Sequence, residues 1–336
     1  MNDKNAQGDS TVASGLLSGM RVVDVSQQLP GPYASALLAA YGATVIKVEP
    51  LAGDPSRKID PDMFELINSG KECIRLDLKS TEGVDRLHSI VANSNVFIEG
   101  FRPGVADRIG ASSDVLFQLN AALVYCSISG AGQAGPLGKV PMHDLNLQGL
   151  AGIVGAEGIG IPWVDLGTAS MAALAIVSAW HRSLNIGIGC YIDAAMLDTA
   201  VLWNRVKASA NERLEPTYGI FETADGFQVA VAILEDHIWP RLCRAFGWVE
   251  WAESADFGTY SARVKSAEDI RNRLAHACRQ RSLDVIADLA MEYDLPITPA
   301  GSEIGQVATD HLALRGLSPG GQRRVSTPPT IDYKAK

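Results

Sequence analysis

Across 336 residues, 38 acidic side chains outnumber 29 basic ones, and the formal charge of −9 leaves no basic face for a phosphate backbone, so no DNA or RNA partner is expected. Hydrophobic residues make up 47% and mean hydropathy is near zero, as in a soluble folded chain long enough for one large domain or two ordinary ones. Five cysteines, Cys73, Cys126, Cys190, Cys243 and Cys278, form no C-x-x-C and no cluster with histidine; this argues against a disulfide framework or a metal centre and reads as reduced thiols of a cytoplasmic protein.

Met1–Ser14 is polar and joins no positive region to an apolar stretch, so neither a signal peptide nor an anchor is indicated. The longest apolar run, Met171–Ala179, is too short to span a bilayer, and no membrane partner is expected.

In chain order, the β-branched run Leu17–Ser26 predicts a strand, the turn Gln28–Pro32 leads into a helix over Tyr33–Tyr41, and Thr44–Glu49 predicts a second buried strand. That is a β-α-β opening of a parallel sheet. The rhythm continues with a strand at Ile74–Leu76, a helix over Ser80–Asn93, a strand at Val96–Glu99, helices near Gly104–Ile109 and Ser112–Asn120, and a strand at Leu123–Ile128. An open doubly wound α/β sheet follows, and ligands of such sheets gather at the carboxyl ends of the strands. Three of those ends carry loops rich in glycine and proline, Gln27–Pro32, Glu99–Gly104 and Ser129–Pro136, which serve either as ligand loops or only as turns. No G-x-G-x-x-G follows the first strand, which disfavours a nicotinamide site.

Beyond Asp165, Leu166–Leu184 has helical period, Gly187-Ile188-Gly189 stops it, Cys190–Asp193 predicts a strand and Ala194–Ala208 a helix. Asn211–Tyr218 is polar and reads as a linker. Phe221–Ala232 is a hairpin turning at Asp225-Gly226, followed by helical patterns at Asp236–Phe246, Ser266–Arg279 and Leu283–Tyr293, and Leu295–Ala300 turns the chain. The basic tail Gly320–Lys336 has no periodicity.

The candidate active site is Met142–Asn146 together with Asp165. His143 and Asp165 are the side-chain types most used to move protons near neutral pH, and they flank the Gly-rich connection Ala151–Trp163. An aspartate at a helix start is also a common N-cap, and the free N–H groups there would suit a developing oxyanion. Asp144 is read as a turn former rather than an orienting partner, and Arg102 either as a phosphate grip at a strand end or as a solvated loop charge.

The blocks Leu17–Asp24, Gly31-Pro32-Tyr33, Gly42–Glu49, Leu76–Lys79, Glu99–Val105, Asp165, Asp193–Asp198 and Thr223–Gly226 resemble, in order, those of the family III CoA-transferases (CaiB/BaiF), a group that includes α-methylacyl-CoA racemase. The resemblance implies a Rossmann-like CoA-binding domain over residues 15–210, completed by residues 301–336, and a small α/β domain over residues 218–300. It further implies an interlocked homodimer and a CoA thioester as substrate, with no prosthetic group and no metal. Asp165 matches the family's catalytic aspartate, and Lys71, Phe101, Arg102 and Arg108 fall where relatives grip CoA. Pro50 stands where many relatives have an arginine, so one phosphate contact is either missing or replaced by Arg57. His143 sits where racemases carry their catalytic histidine, and Glu235 aligns with the glutamate that positions it. On those residues the first expectation is racemisation of a 2-methylacyl-CoA by proton exchange between His143 and Asp165. The second is CoA transfer to a carboxylic acid through an aspartyl-CoA intermediate on Asp165, and the third a non-catalytic acyl-CoA binder.

Overall fold

The computed structural model describes residues 15–153, 160–207, 214–301 and 305–314, so the linker expectation is covered only in part and the tail expectation lies outside the described residues. Two compact units divide the chain at residues 206 and 207.

In chain order the first unit runs β1 (Arg21–Asp24), α1 (Pro30–Ala40), β2 (Thr44–Glu49), α2 (Ser56–Ile59), α3 (Pro61–Asn68), β3 (Glu72–Arg75), α4 (Thr81–Val91), β4 (Val96–Glu99), α5 (Val105–Arg108), α6 (Ser113–Leu119), β5 (Val124–Ser129), α7 (Asp144–Leu150), α8 (Trp163–Ile186), β6 (Cys190–Ala195) and α9 (Met196–Lys207). All pairings are parallel, and the six strands lie in the order β3-β2-β1-β4-β5-β6. The chain starts in the middle, builds outward to β3 and then crosses to β4, so the order reverses between β1 and β4. In an open parallel sheet that reversal leaves a crevice outside the strand ends.

Burial follows the same logic. The strands β4 and β5 are buried at every position and covered on both faces, while the edge strand β6 alternates. Val22, Val45, Ile98, Cys126 and Ile128 pack under α1, α7 and α8 on one face. Val23, Ile46, Phe97 and Tyr125 pack under α4 and α6 on the other. Two features missed by sequence pattern stand in this unit. No element is marked between Pro50 and Lys71, where α2 and α3 lie, and Met142–Asn146 reads as a loop although α7 begins at Asp144. By length and composition α8 would cross a membrane, but its residues Ala169, Ala172 and Ile176 belong to the core beneath the sheet.

Gly31 opens α1 where a Cβ would stand 2.1 Å from Ser26 Oγ, so only glycine lets the helix start so close to the end of β1.

The second unit carries a three-stranded antiparallel sheet, β7 (Tyr218–Glu222), β8 (Gln228–Ala232) and the later β9 (Ile297–Ala300), in the order β7-β8-β9. Its helices are α10 (Trp239–Ala245), α11 (Val249–Ala252), α12 (Tyr260–Lys265), α13 (Ala267–Arg279), α14 (Leu283–Glu292) and α15 (Gln306–Leu314). The Asp225-Gly226 turn is where the sequence puts it, with Gly226 at φ 80°. Leu295–Ala300 is more than a turn: Val231 pairs with Ile297 and Val229 with Pro299, and a proline is tolerated because β9 is an edge strand. α15 groups with this unit.

Candidate active site

A cavity of about 330 Å³ opens at the switch point of the first unit. The loops after β1, β4 and β5 line it, and the chain from Val140 to His143, together with Asp165 at the start of α8, closes it. His143, Asp165, Phe101 and Arg102 share this cavity, so the structure brings together four of the residues singled out from sequence.

Asp165 is half-buried on the first turn of α8. Burial pushes its carboxyl up to about 7, and the neighbouring Asp144 carboxylate adds to the rise. Asp144 is an orienting residue, not the turn former expected. Its Oδ2 accepts from the N–H groups of Val164 (2.8 Å) and Asp165 (3.0 Å), and its Oδ1 accepts from the Gln148 amide. A buried carboxylate thus ties the start of α7 to the start of α8 and compensates the positive end of the α8 dipole. One expectation falls with it: the N–H of Trp163 is taken by Ile161 O (2.8 Å) and the next two by Asp144, so the N-terminus of α8 has no donor left for an oxyanion.

His143 is exposed, and its own N–H donates to Asn146 Oδ1 at 3.0 Å, fixing the entry to α7. Glu235 belongs to the second unit, where it is exposed and accepts from the Leu234 N–H at 3.3 Å.

The loop after β4 is firmly held. Glu99 is buried, its carboxyl pushed up to about 7 by that burial, and accepts from the Phe101 N–H at 2.5 Å. Gln133 donates through Nε2 to Ser127 Oγ (2.7 Å) and Phe101 O (3.3 Å), and through its N–H to Asp193 (3.1 Å). Arg102 and Arg108 are exposed, and neither guanidinium makes an ion pair or side-chain hydrogen bond among the described residues, which suits cations waiting for phosphate.

Lys71 and Arg57 are otherwise engaged. The Lys71 ammonium is buried, its ordinary value pulled down to about 8 by desolvation against the opposing pull of Asp24. Its three protons go to Pro32 O (2.7 Å), Ser35 Oγ (2.8 Å) and Asn68 Oδ1 (2.9 Å), with Asp24 Oδ2 3.5 Å away, so it braces α1 against α3 and has nothing left for CoA. The Arg57 fork closes on Glu49 at 2.8 and 2.7 Å and its plane stacks on Phe64, so it does not replace the missing arginine at Pro50.

Sequence reasoning missed the buried support of the loop after β1. Lys47, wholly buried on β2, reaches Asp54 Oδ2 at 3.0 Å and Ser26 O at 3.0 Å. Asp54 in turn accepts from the N–H of Gln28, whose φ of 65° is unusual for a side-chain-bearing residue and lies at the cavity rim. A lysine inside a strand that is otherwise apolar was the signal available. Among the described residues no group of acids, histidines and cysteines is arranged to hold a metal ion.

This architecture recurs in known proteins. The crystal structure of a CAIB/BAIF family protein from Brucella suis superposes with a TM-score of 0.80 at 28% identity, covering 95% of this chain and 93% of that one. The succinate–glutarate CoA-transferase of Agrobacterium fabrum is 32% identical over 90% of this chain and 84% of its own length. The succinyl-CoA:mesaconate CoA-transferase of Haloarcula hispanica is 31% identical over 85% of this chain and 80% of its own. Racemisation, the first expectation from His143 and Glu235, finds no support in these relatives, whereas CoA transfer, the second, does. The family model for CoA-transferase family III matches residues 17–319, and with enzymes of that family aligned over nearly its whole length, the chain belongs to CoA-transferase family III.

Proposed function

We propose that the protein transfers CoA from an acyl-CoA to a free carboxylic acid, with Asp165 as the nucleophile and small dicarboxylic acids, the class acted on by the two relatives, as the acyl groups. The observation that carries this reading is the half-buried Asp165 carboxyl in a cavity it shares with Arg102 and Phe101, oriented through its own N–H by Asp144. A carboxylate stripped of water is a better nucleophile, and a value near 7 keeps a working fraction ionised at neutral pH.

The chemistry implied by the resemblance balances on that one side chain. Asp165 adds to the thioester carbonyl and CoA thiolate leaves, giving an acyl-aspartyl anhydride. The thiolate attacks the aspartyl carbonyl, releasing the first carboxylic acid as its carboxylate and forming an aspartyl-CoA thioester. The acceptor carboxylate then repeats the two steps in reverse, and Asp165 is restored. Phe101, Arg102 and Arg108 hold the CoA portion, His143 lines the acyl site, and Glu235 has no step to perform.

We further assign a homodimer. Met171 and Leu174, one turn apart on α8, and Leu202 on α9 are exposed apolar side chains that a second chain would cover. The five free thiols suit a cytoplasmic setting.

Incubation with succinyl-CoA and glutarate tests the reading. Glutaryl-CoA should form, and a CoA adduct should be found by mass spectrometry on the peptide containing Asp165, both absent in Asp165→Ala. Deuterium entering the α-carbon of a 2-methylacyl-CoA in heavy water, without an acceptor acid and without any adduct, would return the case to the racemase.

A further inference from the structure

Attack by Asp165 on a thioester carbonyl throws negative charge onto the carbonyl oxygen, and that charge needs a donor. Several backbone N–H groups around the cavity are already committed. The first N–H groups of α8 bond to Ile161 and Asp144, the Gln28 N–H bonds to Asp54, and the Ser26 N–H bonds to Asp24.

The serine hydroxyls in and beside the cavity are committed too, with one exception. Ser26 Oγ donates to Asp24, Ser127 Oγ accepts from Gln133, and Ser35 Oγ is shared between Asp24 and Lys71. Ser129, the last residue of β5, lines the cavity with 9% of its surface exposed, and its Oγ is the one buried hydroxyl without a hydrogen bond among the described residues. Interiors rarely leave such a group unmet, because it has given up water and received nothing in return. The neighbouring backbone is rigid: Gly130 O accepts from the Leu197 N–H at 2.8 Å, and Met142 packs against Gly130. A single side-chain torsion therefore decides where the Ser129 hydroxyl is directed.

We propose that Ser129 is a catalytic residue, its Oγ–H donating to the carbonyl oxygen of the bound acyl-CoA and to the oxyanion formed when Asp165 adds. The proposal rests on the transferase reading. In the step itself Asp165 Oδ bonds to the carbonyl carbon, and the π pair moves to oxygen, where the hydroxyl stabilises it without giving up its proton. Collapse then reforms the C=O bond and expels CoA thiolate. The missing partner of Ser129 is thus the substrate.

The test compares wild type with Ser129→Ala, Ser129→Cys and Ser129→Thr, using succinyl-CoA and glutarate, following steady-state transfer and the adduct on Asp165. Loss of one oxyanion donor should lower kcat about 100- to 1000-fold in Ser129→Ala, with KM for succinyl-CoA changed less than about threefold. Ser129→Cys, a weak donor, should fall similarly, and Ser129→Thr, which keeps a hydroxyl, should recover most of the rate. Thermal stability of Ser129→Ala should equal or exceed wild type, since no internal hydrogen bond is lost; a merely structural serine would lower it. If wild type transfers CoA and Ser129→Ala keeps kcat within threefold, or loses rate only in step with its melting temperature, the proposal is overturned. Absence of transfer and of any Asp165 adduct in wild type would remove the underlying reading and this proposal with it.

Discussion

Replacing Asp165 by asparagine should make the protein inactive and, above neutral pH, more stable. The carboxyl titrates near 7 in the fold against an ordinary value of 3.8, because burial and the Asp144 charge both oppose ionisation. Below about pH 4 both folded and unfolded chains hold the proton, and the group costs nothing. As pH rises from there towards 7, the unfolded chain releases its proton while the folded chain keeps it, so stability falls by roughly 1.4 kcal/mol per pH unit, then levels off. Three units of separation set an upper limit of about 4 kcal/mol, and partial solvent contact reduces it to about 2 kcal/mol. Asparagine is neutral at every pH and nearly the same shape, so it removes the penalty and leaves the packing alone. Urea denaturation of wild type and Asp165→Asn at matched protein concentration, from pH 3 to pH 8.5, measures the difference. It should be near zero at the acid end and reach about 2 kcal/mol in favour of the variant above pH 8. A difference that stays constant across the range would refute the argument that this carboxyl is held in an unfavourable environment.

Lys71→Ala should destabilise by about 3–5 kcal/mol, since it leaves buried Asp24 without its nearer compensating charge, while the KM for acyl-CoA of the remaining folded enzyme stays within about threefold. An unchanged melting temperature with a much higher KM would reinstate Lys71 as a CoA ligand. Arg102→Ala should show the reverse: KM for acyl-CoA up about 10- to 100-fold, as expected for loss of a hydrogen bond to a charged group, and no change in melting temperature, because the exposed side chain has no internal partner. Raising the salt concentration should weaken acyl-CoA binding in wild type more than in this variant.

The sheet was legible because its strands are buried on both faces and read as short β-branched runs between turn residues, as in Thr44–Glu49 and Val96–Glu99. Short helices were not. α7 has seven residues, of which Leu145 and Leu150 are exposed, so its apolar spacing never marks a face. β9 was hidden by Pro299 within it and Pro296 before it, and the lack of an N–H at Pro299 matters little on an edge. At the site, motif and strand-end position single out His143, Asp165, Phe101 and Arg102, which share one cavity. The partners of Asp144 and Lys71 at distances of 20 to 47 residues along the chain are not encoded in residue type and spacing. His143 pulled the expected chemistry towards proton exchange because it stands where the resembling racemases carry their catalytic histidine, and an imidazole with a carboxylate makes a general acid/base pair.

The Lys47–Asp54–Gln28 connection also bears on how this enzyme can be re-engineered. The rim of the cavity at Gln28 keeps its left-handed backbone through a carboxylate 26 residues away, itself charge-balanced by a lysine on a different strand. The loop after β1 is therefore not a transplantable segment. A chimaera that imports only residues 26–31 from a relative would bring a loop whose anchor is missing, and one that replaces Asp54 would release a loop whose own sequence is untouched. Loop, anchor and counter-charge form one heritable cassette, and a change of acyl specificity at this rim has to move all three together.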